Sequence, residues 1–281
     1  MTGEHVRRDP HLGTVVHVVA KRQSRPNRPA DDCPFCIGGL EAPEPYLTLA
    51  FKNRWPALGD ENCEVILYSP DHNSQLSLLG QDAVRAVIDL WAQRTDALFE
   101  SPDVEFVLVF ENRGASVGAT IDHPHGQIYA FDHLPERQKA LFDAQWAPEP
   151  DPGGRLIARH GEWQAWVQSA PVHPVSLVIA PIERRSNISS LTPTSRDDLA
   201  RTLIDVLNRC DKMFGAHMPY MMWINQAPKS SPLEWMHIEI VSPWRDTGVA
   251  RYIAAAEVAT GEYFNPVDPD ELALRLNSLD Q

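Results

Sequence analysis

The chain has no surplus of positive charge: 25 Lys and Arg stand against 38 Asp and Glu, a formal net charge of −13. That balance argues against nucleic acid or an anionic membrane surface as the main partner, since both demand a basic face. A small anionic ligand held in a local cationic pocket is compatible with it. Long apolar runs are missing as well. The longest, FVLVF and SLVIAPI, are far too short to span a bilayer, and the opening MTGEHVRRDPHLG holds no apolar stretch that would read as a signal peptide. The expectation is a cytoplasmic protein with no membrane partner. Cysteine is scarce too, and four residues in a reducing compartment do not make a disulfide framework.

What is present is ordinary for a globular protein: 43% apolar and 22% charged residues. The 281 residues suffice for one large domain or two of usual size. Twenty-four prolines fall mostly between apolar runs, and the clearest break is WAPEPDPGG, residues 146–154, which reads as a linker. The same plan stands on either side of it. A strand, CEVILYSPDH, is ended by Pro70, and a helix follows over 81–100 with Val84, Val87, Ile88, Trp91 and Leu98 at helical spacing. The strand VEFVLVFEN then ends at Asn112, and HGQIYAF comes next. In the second half VSLVIAPIER is stopped by Pro181. A helix with Thr194 or Ser195 as N-cap buries Leu199, Leu203, Val206, Leu207 and Cys210, and YMMWIN ends at Asn225 before HIEIVSP. Pro70 to Asn112 is 42 positions and Pro181 to Asn225 is 44, while Asn112 to His125 is 13 and Asn225 to His237 is 12. Landmarks in one order at matching intervals predict an internal duplication. The fold class is α+β: two units, 1–145 and 155–281, each with mainly antiparallel strands and a helix, able to share one sheet.

DDCPFCIGG sets Cys33 and Cys36 at the C-x₂-C spacing that lets two thiolates grip one tetrahedral ion. A thioredoxin-like redox motif competes, but it would follow a strand and open a helix, whereas here Pro and Asp precede and Gly-Gly follows. The pair alone leaves the metal undecided. His72 of SPDHNS and His123 of HPHGQ, at strand–loop junctions, are the best further ligands. The set would be a closed Cys₂His₂ site, hence structural zinc. Cys63 and Cys210 read as core residues.

If HGQIYA is extended, alternation puts His125, Gln127 and Tyr129 on one face and Gly126, Ile128 and Ala130 on the other. An imidazole attacks phosphorus well when one ring nitrogen is held as donor. Gln127 cannot shuttle protons, but its amide can donate to phosphoryl oxygens, where charge gathers in the transition state. The preceding NRGASVGAT, with Gly118, is small enough for backbone N–H groups to approach a phosphate closely.

ENRGASVGATIDHPHGQIYA resembles the active-site segment of the galactose-1-phosphate uridylyltransferase family, the transferase branch of the histidine-triad superfamily. CPFC, SPDH, RQSRP and NQAP…HIE fall in that family's order, over roughly residues 8–265. The resemblance implies a duplicated histidine-triad-like fold, a homodimer with its site near the subunit boundary, and structural zinc on Cys33, Cys36, His72 and His123. It implies that His125 attacks the α-phosphorus of a nucleotide sugar, forming a uridylyl-histidine that a second sugar 1-phosphate then discharges. A phosphate leaves with a low pKa, so no strong general acid is required, which suits Gln127 where histidine-triad hydrolases carry a third histidine. Arg22 and Arg25 match phosphate-contacting arginines, Asn112 matches the Asn after the central strand, and Asn53 matches an Asn near the nucleoside.

The chain also departs from the family. Thr120, Ile121 and Asp122 replace the usual Ser and Asn-Pro; Thr120 keeps a hydroxyl, while the other two have no explanation in the sequence. Where the family reads HQAP and HAH, carrying a second metal in some members, this chain has Asn225 and His237-Ile238-Glu239, so no second metal is expected here. In the sugar-contacting C-terminal segment Arg251, Tyr252 and Glu257 keep the family's character, but Ala256 and Tyr263 replace polar residues. Sugar choice should be relaxed or redirected. The reading is a hexose-1-phosphate uridylyltransferase. Its rivals are an ADP-sugar or dinucleoside-polyphosphate phosphorylase, a nucleotidyltransferase for another sugar 1-phosphate, a histidine-triad hydrolase, and a non-catalytic zinc-ordered descendant.

Overall fold

The computed structural model describes residues 6–24, 33–231 and 233–279. A short hairpin of β1 (Val6–Arg8) and β2 (Val15–His17) opens the described chain. Next come β3 (Leu49–Lys52), β4 (Cys63–Leu67), helix α1 (Gln81–Phe99), β5 (Phe106–Arg113) and β6 (His125–Phe131). Helix α2 (Glu136–Asp143) leads into β7 (Leu156–His160), β8 (Trp163–Val167) and β9 (Val175–Pro181). Helix α3 (Pro193–Phe214), β10 (Tyr220–Asn225) and β11 (His237–Ser242) follow. A ribbon of β12 (Trp244–Asp246) and β13 (Val249–Ala250), then helices α4 (Ala255–Thr260) and α5 (Pro269–Asn277), complete it.

Among the described residues nine strands form one sheet in the order β3-β4-β6-β5-β10-β11-β9-β8-β7, antiparallel at every step. The order is palindromic: β3, β4, β6, β5 from one edge answer β8, β9, β11, β10 from the other, with β7 added outside. This is the sheet a duplicated α+β unit makes when its copies join edge to edge, as the matching sequence intervals predict. The copies meet where Phe110 of β5 pairs with Trp223 of β10. Gln127 lies opposite Phe110, and Glu239 lies opposite Trp223. His125 and Gln127 therefore have His237 and Glu239 as topological counterparts.

Helices α1 and α3 pack together over one face of this sheet. The five apolar positions predicted for α1 are all buried, as are the five predicted for α3. The start of α3 corrects the sequence reading: its N-cap is Thr192, whose hydroxyl accepts from Ser195 N at 3.1 Å. Pro193 takes the first helical position, where its missing N–H costs no hydrogen bond and its fixed φ already suits the helix. Between helices and sheet lies one continuous core running from Ile66 and Ile128 through Val109 and Ile224 to Ile238 and Leu177. Trp91 and Trp163 are its largest sealed side chains; burying a large apolar group stabilises by about 1.5–3 kcal/mol. On the opposite face of the first half a smaller cluster of Phe35, Ala42, Val65 and Leu67 seats the C-x₂-C loop. That loop is what roofs the functional face.

Candidate active site

Strand β6 alternates between half-buried His125, Gln127, Tyr129 and buried Gly126, Ile128, Ala130, as its pattern predicts. His125 Nδ1 lies 2.7 Å from the carbonyl oxygen of His123. A carbonyl only accepts, so Nδ1 carries the proton and the ring's lone pair is on Nε2. The Phe35 ring meets the imidazole edge-on, with centroids 5.1 Å apart. Gln127 Oε1 accepts from Asn53 Nδ2 at 3.2 Å, and Asn53 Oδ1 in turn accepts from Trp55 N at 2.9 Å. Held by its oxygen, Gln127 keeps the amide nitrogen as the donor it can offer a ligand. Gly126 separates the two functional side chains because there is no room for a Cβ: one would collide with the Tyr68 hydroxyl and stand 3.1 Å from Phe110 O.

These residues open onto a cleft of about 520 Å³. Phe35, Leu40, Phe51, Trp55 and Val65 give it apolar, partly aromatic walls, and Asn53, Thr120, Gln127 and His125 supply its polar points. Such a cleft suits a flat heterocyclic base at one end and a phosphate at the other. A second cavity of about 200 Å³ shares His125 and Ile121 with the first and is bordered by Glu111, Asn112, Asp122 and His217. Ile121, unexplained in the sequence, packs against the cluster containing Phe35.

Cys33, Cys36, His72 and His123 converge with their ligand atoms within 4.8 Å of one another and could hold a metal ion. The donor geometry passes a direct test. Cys33 Sγ and Cys36 Sγ stand 3.8 and 3.7 Å from His123 Nδ1, and Cys36 Sγ stands 3.6 Å from His72 Nδ1. Metal bonds of about 2.3 Å to sulfur and 2.0–2.1 Å to nitrogen put tetrahedral S···N edges near 3.6 Å. The outer contacts fit as well. His123 Nε2 donates to Ser69 O at 2.8 Å, and the Tyr46 hydroxyl sits 2.9 Å from the same nitrogen while donating to Phe35 O at 2.7 Å. Burial lowers the His123 pKa, which favours the neutral ring a metal needs. Gly39 lets the loop close, since a Cβ there would press on the carbonyls of Cys33, Cys36 and Pro34 at 2.7–2.8 Å.

Other sequence-predicted residues are not brought to this cleft. Arg22 lies in the turn Ala20–Ser24, where its charge acts on buried Cys63, and Arg25 lies outside the described residues. Gly118 ends the turn after β5 with φ +91° and borders neither cavity. Arg251 and Glu257 form a buried ion pair with each other. Arg251 also donates to Val172 O at 2.9 Å, and Glu257 accepts from Ala254 N and Phe264 N at 2.8 and 2.9 Å. Both are committed within their own segment, while Tyr252 is 71% exposed.

The counterpart site in the second half is closed. The Trp146 ring stacks on His237 with centroids 3.5 Å apart, and Asn225 Nδ2 stands 2.9 Å from His237 Nε2. Arg137 takes both oxygens of Glu239, at 2.8 and 2.9 Å. Burial pushes the Glu239 carboxyl up, but hydrogen bonding with His237 and the Arg137 guanidinium together bring it down to about 2. The sequence reading missed Phe35, Tyr68, Trp55 and Arg137. Only Phe35 left a signal, its place between the two cysteines.

Residues 50–135 match the family model described as galactose-1-phosphate uridyl transferase, N-terminal domain. The chain is 32% identical over 308 residues to the galactose-1-phosphate uridylyltransferase of Thermotoga maritima, covering 96% of this chain and 97% of that protein. A solved uridylyltransferase superposes with a TM-score of 0.87 at 24% identity, over 98% of this chain and 97% of that one. An ADP-glucose phosphorylase of Arabidopsis thaliana with bound ADP-glucose superposes with a TM-score of 0.76 at 22% identity, over 97% of each chain. At these identities the two structures speak for the fold.

Proposed function

Because this chain belongs to the galactose-1-phosphate uridylyltransferase family, we propose that it moves UMP between hexose 1-phosphates through a nucleotide bound covalently to His125. The observation that carries this reading is the Nδ1–H···O bond from His125 to His123, which places the lone pair on Nε2 at the cleft. Nε2 attacks the α-phosphorus of a UDP-sugar, and the sugar 1-phosphate departs with the electron pair of the broken P–O bond. A second sugar 1-phosphate reverses the step. Gln127, steadied by Asn53, and the Thr120 hydroxyl serve the phosphoryl oxygens, and the aromatic walls take the base. Asn112, on the second cavity, faces the departing phosphate; Gly118, Arg22 and Arg25 are assigned to phosphate contact on the family resemblance alone.

Cys33, Cys36, His72 and His123 would hold structural zinc, which supplies a tetrahedral cross-link between the loop carrying Phe35 and the strand carrying His125. The protein is a cytoplasmic homodimer in this reading. No described helix is long and apolar enough to cross a membrane. The C-terminal segment exposes Tyr252, Ile253, Val258, Tyr263 and Phe264 together, an apolar surface suited to a second copy. Arg251 and Glu257 brace that segment, so that Tyr252 reaches the partner's sugar. We place the unit boundary at the linker 146–154.

The test is the half-reaction. UDP-glucose without acceptor should add one UMP to the protein, acid-labile and base-stable, and His125→Gly should abolish the adduct while keeping metal and fold. Discharge by galactose 1-phosphate supports the transferase; discharge by inorganic phosphate alone turns the reading into a phosphorylase. Sequential kinetics, with both substrates required before any product leaves, would overturn it.

A further inference from the structure

Resting on the reading of a sugar-phosphate transferase, we infer that His217 is a substrate-binding residue: its imidazole takes the phosphate of the hexose 1-phosphate in the cavity of about 200 Å³ beside His125. The chemistry asks for a donor on that side. Once Nε2 of His125 bonds to the α-phosphorus, the P–O bond to the leaving group breaks. The hexose phosphate keeps that electron pair and gains one negative charge. A donor fixed there interacts more strongly after the break than before it.

The groups around the cavity show which residue can meet that anion. Glu111 and Asp122 are acids and supply no positive charge. Arg113 borders the cavity too, but its guanidinium is committed: it forms an ion pair with Asp211 and donates to Met218 O at 2.9 Å. His123 belongs to the candidate metal site, and His125 is the nucleophile of this reading. Among the described lining residues able to carry positive charge, His217 is left, with Gln75 and Asn112 as neutral donors.

His217 is exposed yet oriented. Its Nδ1 lies 3.3 Å from Asp211 Oδ2. A carboxylate paired with arginine only accepts, so Nδ1 carries the proton and Nε2 is left for a ligand. Asp211 is fixed in turn, accepting from Ser77 Oγ at 3.0 Å and Met218 N at 2.8 Å besides Arg113. The turn that carries His217 is locked against the loop before His125. Gly215 ends α3 in the left-handed conformation, φ +59°, and Tyr220 pairs with Arg113 as β10 begins. That pairing sets Pro219 against Gly114, where a Cβ would stand 3.0 Å from Pro219 Cβ. The second half of the chain thus brings an imidazole to the glycine-rich loop that leads to the nucleophile.

The ring signals of His217, assigned in nitrogen NMR by their loss in His217→Gln, should shift when galactose 1-phosphate is added to the protein. They should stay in place when uridine is added, since the nucleoside belongs to the other cleft. By calorimetry, His217→Ala should weaken galactose 1-phosphate binding about tenfold, the loss of one charge-assisted hydrogen bond, with UMP affinity and melting temperature little changed. Ring signals that galactose 1-phosphate does not move, or an affinity that survives His217→Ala, would overturn the proposal. A variant that loses UMP and galactose 1-phosphate alike would mark a merely structural turn and end it too. Adduct formation from UDP-glucose tests the nucleophile separately. Should no adduct form on the wild type, that reading falls, and the NMR titration still decides whether His217 binds the phosphate.

Discussion

Phe35 stands edge-on against His125, ring centroids 5.1 Å apart and planes at 61°. Since Phe35 lies between Cys33 and Cys36, and His123 carries both a nitrogen of the candidate metal site and the carbonyl that orients His125, the candidate metal site and the proposed nucleophile share two physical links. Loss of metal should therefore be felt in the chemistry as well as in stability.

Cys33→Ser tests this. Zinc content should fall, and the melting temperature should drop by roughly 5–10 °C, on the order of 2–3 kcal/mol for a chain of this size. Adduct formation should fall with it. Retention of full stability and full half-reaction rate in metal-free protein would refute the assignment.

Gly126→Ala should destabilise by about 1–3 kcal/mol, because the added methyl meets Tyr68 Oη in a packed wall. Tyr68→Phe removes the hydroxyl that the added methyl would meet. In urea melts the double variant should cost less than the sum of the singles.

Gln127→Ala removes the proposed donor to the phosphoryl oxygens and should slow both half-reactions about 10²–10³-fold. Asn53→Ala leaves the amide in place but releases its oxygen, so its effect should be smaller and in the same direction. Stopped-flow measurement of each half-reaction separates them. A larger effect at Asn53 would mean that Asn53, not Gln127, carries the phosphate contact.

Glu239 predicts an acid limb of stability. Its folded pKa, about 2, lies below the ordinary 4.5, so its contribution is complete above the ordinary value and is lost as pH falls toward about 2. The stability gap between wild type and Glu239→Gln should be full at pH 6 and narrow steadily below pH 4.5. Melts over that window check it; a gap that widens with acid would show the sign to be wrong.

The elements of this protein, and the residue types of its chemistry, are legible in the sequence because they are local. The alternation of HGQIYA puts His125 and Gln127 on one face whatever the rest of the chain does, and helical spacing marks the buried stripe of α1 and α3. The repeated intervals around Asn112 and Asn225 foreshadow the palindromic sheet. Cys33, Cys36, His72 and His123 are legible as a candidate metal site because a tetrahedral ion admits few residue types. Tertiary structure alone decided the rest. Asn53 meets Gln127 across 74 residues, Arg137 meets Glu239 across 102, and Tyr68 closes on Gly126 because register and packing bring distant segments together. Glu111 reads as one more charge in FENRG; only the sheet, in burying it beneath Tyr220, raises its pKa to about 7. Periodicity is a property of neighbours along the chain, whereas burial and pairing are properties of the whole packed sheet.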